Sequence, residues 1–303
     1  MPEGLLNMLK PPGMTSHDVV ERVRRIVRER QVGHTGTLDP AAAGVMVLMV
    51  GATTKLSGHL TAQGKVYRAE ITFGAATETL DGEGAVTERA DASALTAEAV
   101  ADALAELVGP MEMLPPMHSA VRLDGKRLYK LARRGESVEV EARAVTVERF
   151  ELLDFTSGPL ARALAEVECS SGTYVRSLAA MAGELVGLPA YLSFLVRTRV
   201  GTQVIDNALT GTELQEAVAE GRLEEALVSP ADVLGWPRLV ADAETAAALA
   251  HGVQVPAWAP AEVGAPLLIL LPNGRILCLA ELLDGADGPL VQPRRLLIDR
   301  ERF

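Results

Sequence analysis

The stretch VGHTGTLDPAAAGVMVLMV, residues 32–50, decides how this chain is read. Its second half, Val45–Val50, is short, wholly apolar and Val-rich, the pattern of a strand buried on both faces. Its first half is punctuated by Gly33, Gly36 and Gly44, which permit unusual turns. Asp39 stands before Pro40, and that peptide drives its backbone towards extended geometry. A carboxylate is therefore delivered on a constrained turn at the mouth of a buried strand. It could serve as nucleophile or base, or simply close an Asp-Pro turn.

Upstream, Ser16 reads as a helix N-cap. Val19, Val20, Val23, Ile26 and Val27 follow at helical spacing, so Ser16–Arg30 is expected to be an amphipathic helix. Its other face carries Arg24, Arg25 and Arg28. Downstream, Lys65–Phe73 alternates as a strand does. Thr96–Val108 reads as a helix capped by Thr96 and stopped at Gly109-Pro110. Val138–Leu153 and Ala161–Cys169 have strand character, Thr173–Val186 is helical with Gly187 as its stop, and Thr212–Ala226 reads as one acidic helix. Past Trp236-Pro237 the composition changes. Leu267–Leu271 and Arg275–Ala280 flank Pro272-Asn273-Gly274, a hairpin signal, and Leu290–Leu297 supplies another strand. Residues 237–303 thus read as a small β-rich domain.

With 303 residues the chain has material for two domains, and 48% hydrophobic content is ordinary for a globular protein. No apolar run reaches the roughly 18 residues of a membrane helix, and the N-terminus lacks the pattern of a secretory signal. Cys169 and Cys278 form neither a disulfide framework nor a paired metal motif, so a cytoplasmic protein is expected. The net charge of −11 argues against a nucleic-acid partner only on average. Residues 91–110 hold four acids and no base, and residues 211–250 hold eight acids against two arginines. Residues 122–134, RLDGKRLYKLARR, hold six basic residues and one acid, which suits an anion-binding face.

Other residues could carry chemistry beside Asp39. His34 suits a general base, a wedge against stacked bases, or a polar loop position. Tyr67, between Lys65 and Arg68 in a strand, suits a stacking platform or a half-buried core position. Lys126, Lys130 and Arg133 would share one face if their segment were helical, tracking phosphates or facing water. Arg176, at the start of a helix after Ser171-Gly172-Thr173-Tyr174, could hold a carboxylate, a phosphate or a structural partner. No His, Cys or carboxylate spacing suits a metal.

In order along the chain these segments resemble the TruB family, the bacterial tRNA pseudouridine-55 synthases. The resemblance rests on Leu9–Ser16 (LKPPGMTS), Gly33–Gly44 (GHTGTLDPAAAG), Gly74–Gly84 (GAATETLDGEG), Pro115–Arg134 (PPMHSAVRLDGKRLYKLARR), Cys169–Arg176 (CSSGTYVR) and Leu195–Gly201 (LVRTRVG). Leu9, Glu78, Arg122 and Val196 depart from the usual family residues.

The resemblance implies an α+β pseudouridine synthase fold with a central mixed, largely antiparallel sheet. Residues 1–236 would be the catalytic domain, with a basic RNA-closing loop at about 114–141, and residues 237–303 a PUA-like RNA-binding β-barrel. It implies isomerisation of uridine 55 in the T-loop of tRNA, with base flipping, without metal or organic cofactor, by a monomer. Asp39 matches the essential carboxylate, Arg176 the arginine that pairs with it, and Tyr67 the active-site tyrosine. His34, Leu195, Tyr174, Lys126, Lys130 and Arg133 would contact the RNA. Two rivals are a non-catalytic tRNA-binding module and a relative dependent on a guide RNA and partner proteins.

Overall fold

In the computed structural model, residues 2–116, 140–258 and 262–298 are described in full, and 122–123 and 126–127 by backbone alone. The chain opens with β1 (Gly4–Lys10), α1 (Ser16–Val27), β2 (Val32–His34) and β3 (Ala43–Val50). Then come α2 (Ser57–Thr61), β4 (Lys65–Phe73), β5 (Ala75–Thr77), β6 (Val86–Arg89), α3 (Ala97–Glu106) and β7 (Gly109–Met113). The short strands β8 (Arg122–Leu123) and β9 (Lys126–Arg127) precede the long β10 (Arg143–Thr156), β11 (Ala161–Cys169), α4 (Val175–Leu185), β12 (Ala190–Val200) and β13 (Gln203–Val204).

The large sheet runs β1-β3-β12-β4-β11-β10-β7, with β2 on β3 and β13 on β12. Every pairing in it is antiparallel except β12 on β3, so the sheet is mixed and largely antiparallel as expected. That parallel pair joins the two halves of the sheet through Val196 opposite Ala43 and Arg197 opposite Gly44. A Cβ on Gly44 would lie 2.2 Å from the carbonyl oxygen of Arg197, so only glycine admits this approach.

One face of the sheet is covered by α1, which buries Val19, Val20, Val23 and Val27 against Met8, Met46 and Leu48. On the same side, α3 and α4 pack against Tyr67, Ile71 and Phe73. Each of these valines, removed from water, contributes on the order of 1.5–3 kcal/mol.

After α5 (Gly211–Ala219), α6 (Leu223–Ala226) and α7 (Pro230–Leu234) the chain enters a second sheet. It comprises β14 (Arg238–Val240), β15 (Val255–Pro256), β16 (Pro266–Leu270), β17 (Ile276–Leu283) and β18 (Leu290–Leu296), with α8 (Ala243–Ala250) against it. Its order is β14-β16-β17-β18-β15. The expected hairpin turn is present, with Gly274 at φ +82° and the Leu271 amide donating to the Arg275 carbonyl at 2.9 Å. This sheet shares a core with the first: Leu268, Leu279 and Leu297 pack with Leu5, Val45, Val47 and Met49.

Four local expectations change. The cap of α1 is Thr15, which forms a capping box with Asp18, because the Ser16 hydroxyl is engaged elsewhere. The same helix ends at Val27, where Arg28 turns left-handed. The single helix expected over residues 212–226 is two, divided at Gly221 with φ +73°. The backbone at Lys126 is a strand paired antiparallel with Arg122–Leu123 rather than a helix. The side chain of Lys126, and Lys130 and Arg133 altogether, lie outside the described residues.

Candidate active site

The loop between β2 and β3 is held on every side. The Ser16 hydroxyl accepts from the Leu38 amide at 2.8 Å and donates to the Leu38 carbonyl at 2.9 Å. The Lys10 ammonium, fully buried, donates to the carbonyls of Pro11, Pro40 and Ala42 at 3.0, 3.0 and 2.6 Å. The buried Arg197 guanidinium donates to the carbonyls of Val45, Thr37 and Gly36 at 2.7, 3.4 and 3.1 Å. Lys10 spends all three donors and Arg197 three of its five on backbone carbonyls, so the turn that carries Asp39 cannot relax without breaking charge-assisted bonds.

Asp39 faces a cleft of about 490 Å³, a size suited to a small ligand or a single nucleotide. His34, Tyr67, Tyr174, Arg176 and Leu195 line the same cleft, so these five share one site with Asp39. The Arg176 Nε lies 3.1 Å from Asp39 Oδ2, the pairing implied by the resemblance. Arg176 reaches the site from the first turn of α4, after a strand-to-turn crossing in which Gly172 takes φ +94° and Thr173 Oγ1 donates to the Ser170 carbonyl at 3.0 Å.

Tyr67 is buried on β4. Its partner across the sheet is Arg197, whose nearby positive charge acts on the phenol. Leu195, two residues from Arg197 on β12, is on that same face and gives the cleft an apolar wall.

Four residues of the site carry roles that residue-by-residue reading missed: Lys10, Lys65, Asp81 and Arg197. All except Lys65 stand inside motif segments. Their spacing alone, however, gives no sign that they converge on Asp39. Asp81 is the second carboxylate on Arg176, with its Oδ2 3.1 Å from Nη1, while the Thr79 carbonyl accepts from the same nitrogen at 3.1 Å. Asp81 is itself held by the Thr79 hydroxyl and, at 3.1 Å, by the Glu83 amide. Lys65 is buried and donates to the carbonyls of Thr61 and Gln63 at 2.8 and 2.6 Å.

The electrostatics follow from this packing. Burial in the cleft pushes the Asp39 carboxyl above the ordinary carboxylate value; Arg176 opposes the shift, Asp81 adds to it and Lys10 opposes it. Burial lowers Lys10 and Lys65 to about 8, which leaves both protonated at neutral pH. Burial also raises the Tyr67 phenol, against the pull of Arg197. Lys10, Lys65, Arg176 and Arg197 therefore set four buried cations against the two carboxylates Asp39 and Asp81, a local positive field in an acidic chain. Among the described residues no three His, Cys, Asp or Glu side chains are grouped to hold a metal ion.

The profile of the TruB family pseudouridylate synthase N-terminal domain matches residues 24–175. The tRNA pseudouridine synthase B of Symbiobacterium thermophilum is 51% identical over 252 residues, 83% of this chain and 82% of the relative. Those of Pelotomaculum thermopropionicum and Bacillus cereus are 42% and 38% identical, each over 99% of this chain and over 94% and 99% of the relative. Among solved structures, a Cbf5-Nop10-Gar1 complex contains a chain that superposes with TM-score 0.72 at 23% identity, covering 98% of this chain and 86% of that one. An H/ACA RNP bound to a substrate RNA containing 2′-deoxyuridine gives TM-score 0.71 at 23% identity, covering 99% and 86%. At that identity the likeness is one of fold.

Proposed function

The chain belongs to the TruB family of pseudouridylate synthases, and from that premise we propose that it converts uridine 55 in the T-loop of tRNA to pseudouridine, with Asp39 as the essential carboxylate. The reaction breaks the N1–C1′ glycosidic bond, turns the uracil, and joins C5 to C1′. The C5 proton leaves and N1 gains one, so the isomerisation balances without oxidant, reductant or organic cofactor.

The observation that carries the reading is Asp39 at the cleft mouth, fixed by Arg176 at 3.1 Å beside the ring of Tyr67. Three routes use the carboxylate: attack on C1′, attack on the base, or removal of the 2′ proton. All three require it ionised and close to the nucleotide, and a neighbouring guanidinium favours the ionised form. The target uridine is flipped out of the folded loop at a cost of about a few kcal/mol. Tyr67 stacks on the base near the departing C5 proton, and Leu195 closes the apolar side of the pocket. Tyr174 contacts the substrate from the start of α4, and His34 fills the space left in the T-arm. Base stacking on an aromatic is worth roughly 1–3 kcal/mol and offsets much of the flipping cost.

We assign residues 1–236 to the catalytic domain and 237–303 to a PUA-like RNA-binding domain, with Arg294 and Arg295 towards phosphates. The basic segment at 114–141, with Lys126, Lys130 and Arg133, closes on the RNA. The enzyme works as a cytoplasmic monomer without metal.

The test is tritium release from a tRNA transcript labelled at uridine C5, with the modified position then mapped. Pure protein releases tritium from the T-loop uridine without added metal, and Asp39→Asn abolishes release while tRNA affinity stays within a few-fold. Release from another position, or turnover by Asp39→Asn, overturns the reading.

A further inference from the structure

Residues 22–30 hold five arginines and one acid in a chain of net charge −11. One of them has a carboxylate partner: Arg24 pairs with Glu21 at 2.5 Å and donates to the Val32 carbonyl at 2.9 Å, while Arg25 Nε donates to the Glu21 carbonyl at 3.3 Å. Arg22, Arg25 and Arg28, three residues apart, line a groove of about 990 Å³ between α1 and α5, with Gln215 and Val218 opposite. None of the three has a carboxylate partner among the described residues. The acids nearby are engaged: Asp18 closes the capping box on Thr15, Glu21 holds Arg24 with His17 at 3.7 Å, and Glu29 accepts from the Gln31 amide at 2.8 Å.

Two features mark these arginines as placed rather than incidental. A Cβ on Gly211 would lie 2.5 Å from Arg22 Nε and 2.6 Å from its Cζ, so the first residue of α5 leaves the space that the guanidinium occupies. Arg28 closes α1 at φ +54°, ψ +36°, a left-handed position where glycine is the unstrained choice. Only Leu80 shares a positive φ among the other described non-glycine residues. A non-glycine side chain kept at such a position points to a use for its guanidinium.

We propose that Arg22, Arg25 and Arg28 form a second phosphate-binding strip that grips the backbone of the RNA substrate outside the catalytic cleft. The inference rests on the RNA-modifying reading above. Ser16, at the head of α1, is bonded to Leu38 beside Asp39. At about 1.5 Å per residue the strip lies about 9–18 Å along the helix from that point. Backbone flanking a loop seated in the cleft is within that reach. Guanidinium groups without a carboxylate partner suit phosphate oxygens, and each phosphate contact adds to the salt dependence of binding.

The experiment measures the affinity of a full-length unmodified tRNA transcript against salt, together with thermal unfolding. Arg28→Gly removes both the charge and the strain. The unfolding midpoint holds or rises, while Kd rises about 3–10-fold and the slope of log K against log[salt] shrinks by about 1. In the triple variant R22Q/R25Q/R28G the slope shrinks by about 2–3. Arg162→Gln, at an exposed arginine on β11, removes one positive charge as Arg28→Gly does and leaves both readings unchanged. An unaltered slope in the triple variant, or an equal loss in Arg162→Gln, overturns the strip. If the wild-type protein fails to bind tRNA at all, the functional reading falls and the strip with it, an outcome distinct from failure of the variants alone.

Discussion

Replacing Asp81 by Asn separates orientation of Arg176 from control of the charge on Asp39. Arg176 is bracketed by Asp39 on Nε and Asp81 on Nη1, each at 3.1 Å, and its side chain is only 7% exposed. Unit charges about 4 Å apart attract by roughly 4 kcal/mol at an effective dielectric constant of 20. A hydrogen bond to a charged group is worth about 1.5–3 kcal/mol net. Asn keeps the acceptor oxygen and loses the charge, so Arg176 stays near but is held less firmly. If half or more of that interaction serves to aim Arg176, and through it Asp39, the turnover rate falls about 10–100-fold, at 1.4 kcal/mol per tenfold. Asp81 also raises the Asp39 carboxyl, so its neutralisation moves the acid limb of the pH–rate profile to lower pH. The assay is single-turnover tritium release at saturating tRNA across pH, with Kd from filter binding and the unfolding midpoint as controls. The expected result is a lower plateau, a limb shifted to acid and a Kd within about threefold. A plateau within twofold of wild type would refute the positioning argument and leave Asp81 as a tuner of charge alone.

Two further outcomes follow from the same geometry and a third from the basic sequence of residues 122–134. Because folding raises the Asp39 carboxyl, the folded state binds its proton more tightly. The cost of keeping it ionised is present at neutral pH and vanishes below the ordinary carboxylate value, so Asp39→Asn unfolds at higher temperature than wild type at pH 7, and the gap closes as pH falls towards 4. Lys10→Met strips the donor from three carbonyls, at about 1–3 kcal/mol each, against about 3 kcal/mol regained from no longer burying an ammonium. Denaturant unfolding should show a net loss of a few kcal/mol, and activity should fall with it; an unchanged midpoint would mean that the Asp39 turn stands without Lys10. Reversing the charges of Lys126, Lys130 and Arg133 should weaken tRNA binding and flatten its salt dependence, and an unchanged slope would remove that segment from the RNA.

Much of the framework was legible because local pattern and tertiary role agree. The strands Lys65–Phe73 and Ala161–Cys169 form over the residues read, since each presents one face to a core, with the other outward along β11 and at Arg68 and Glu70 on β4. Thr96 caps its helix as read, and Asn273-Gly274 turns the hairpin, because those signals act within a few residues of chain. The family, and through it the pairing of Asp39 with Arg176, was legible from ordered motifs. What escaped depends on partners far along the chain. Ser16 looks like a cap, but its hydroxyl is spent on Leu38, 22 residues away, so Thr15 takes the role. Lys10, Asp81 and Arg197 look like ordinary charged residues until the sheet closes. The parallel pairing of β12 with β3, admitted by Gly44, brings Arg197 against the Asp39 turn, and the antiparallel pairing of β12 with β4 sets it opposite Tyr67. Sequence by itself determined the elements and the chemistry they carry, since periodicity and turn signals are local. Tertiary structure alone decided which buried charges meet, because desolvation makes a lone ion costly and leaves each one only the partners that packing supplies.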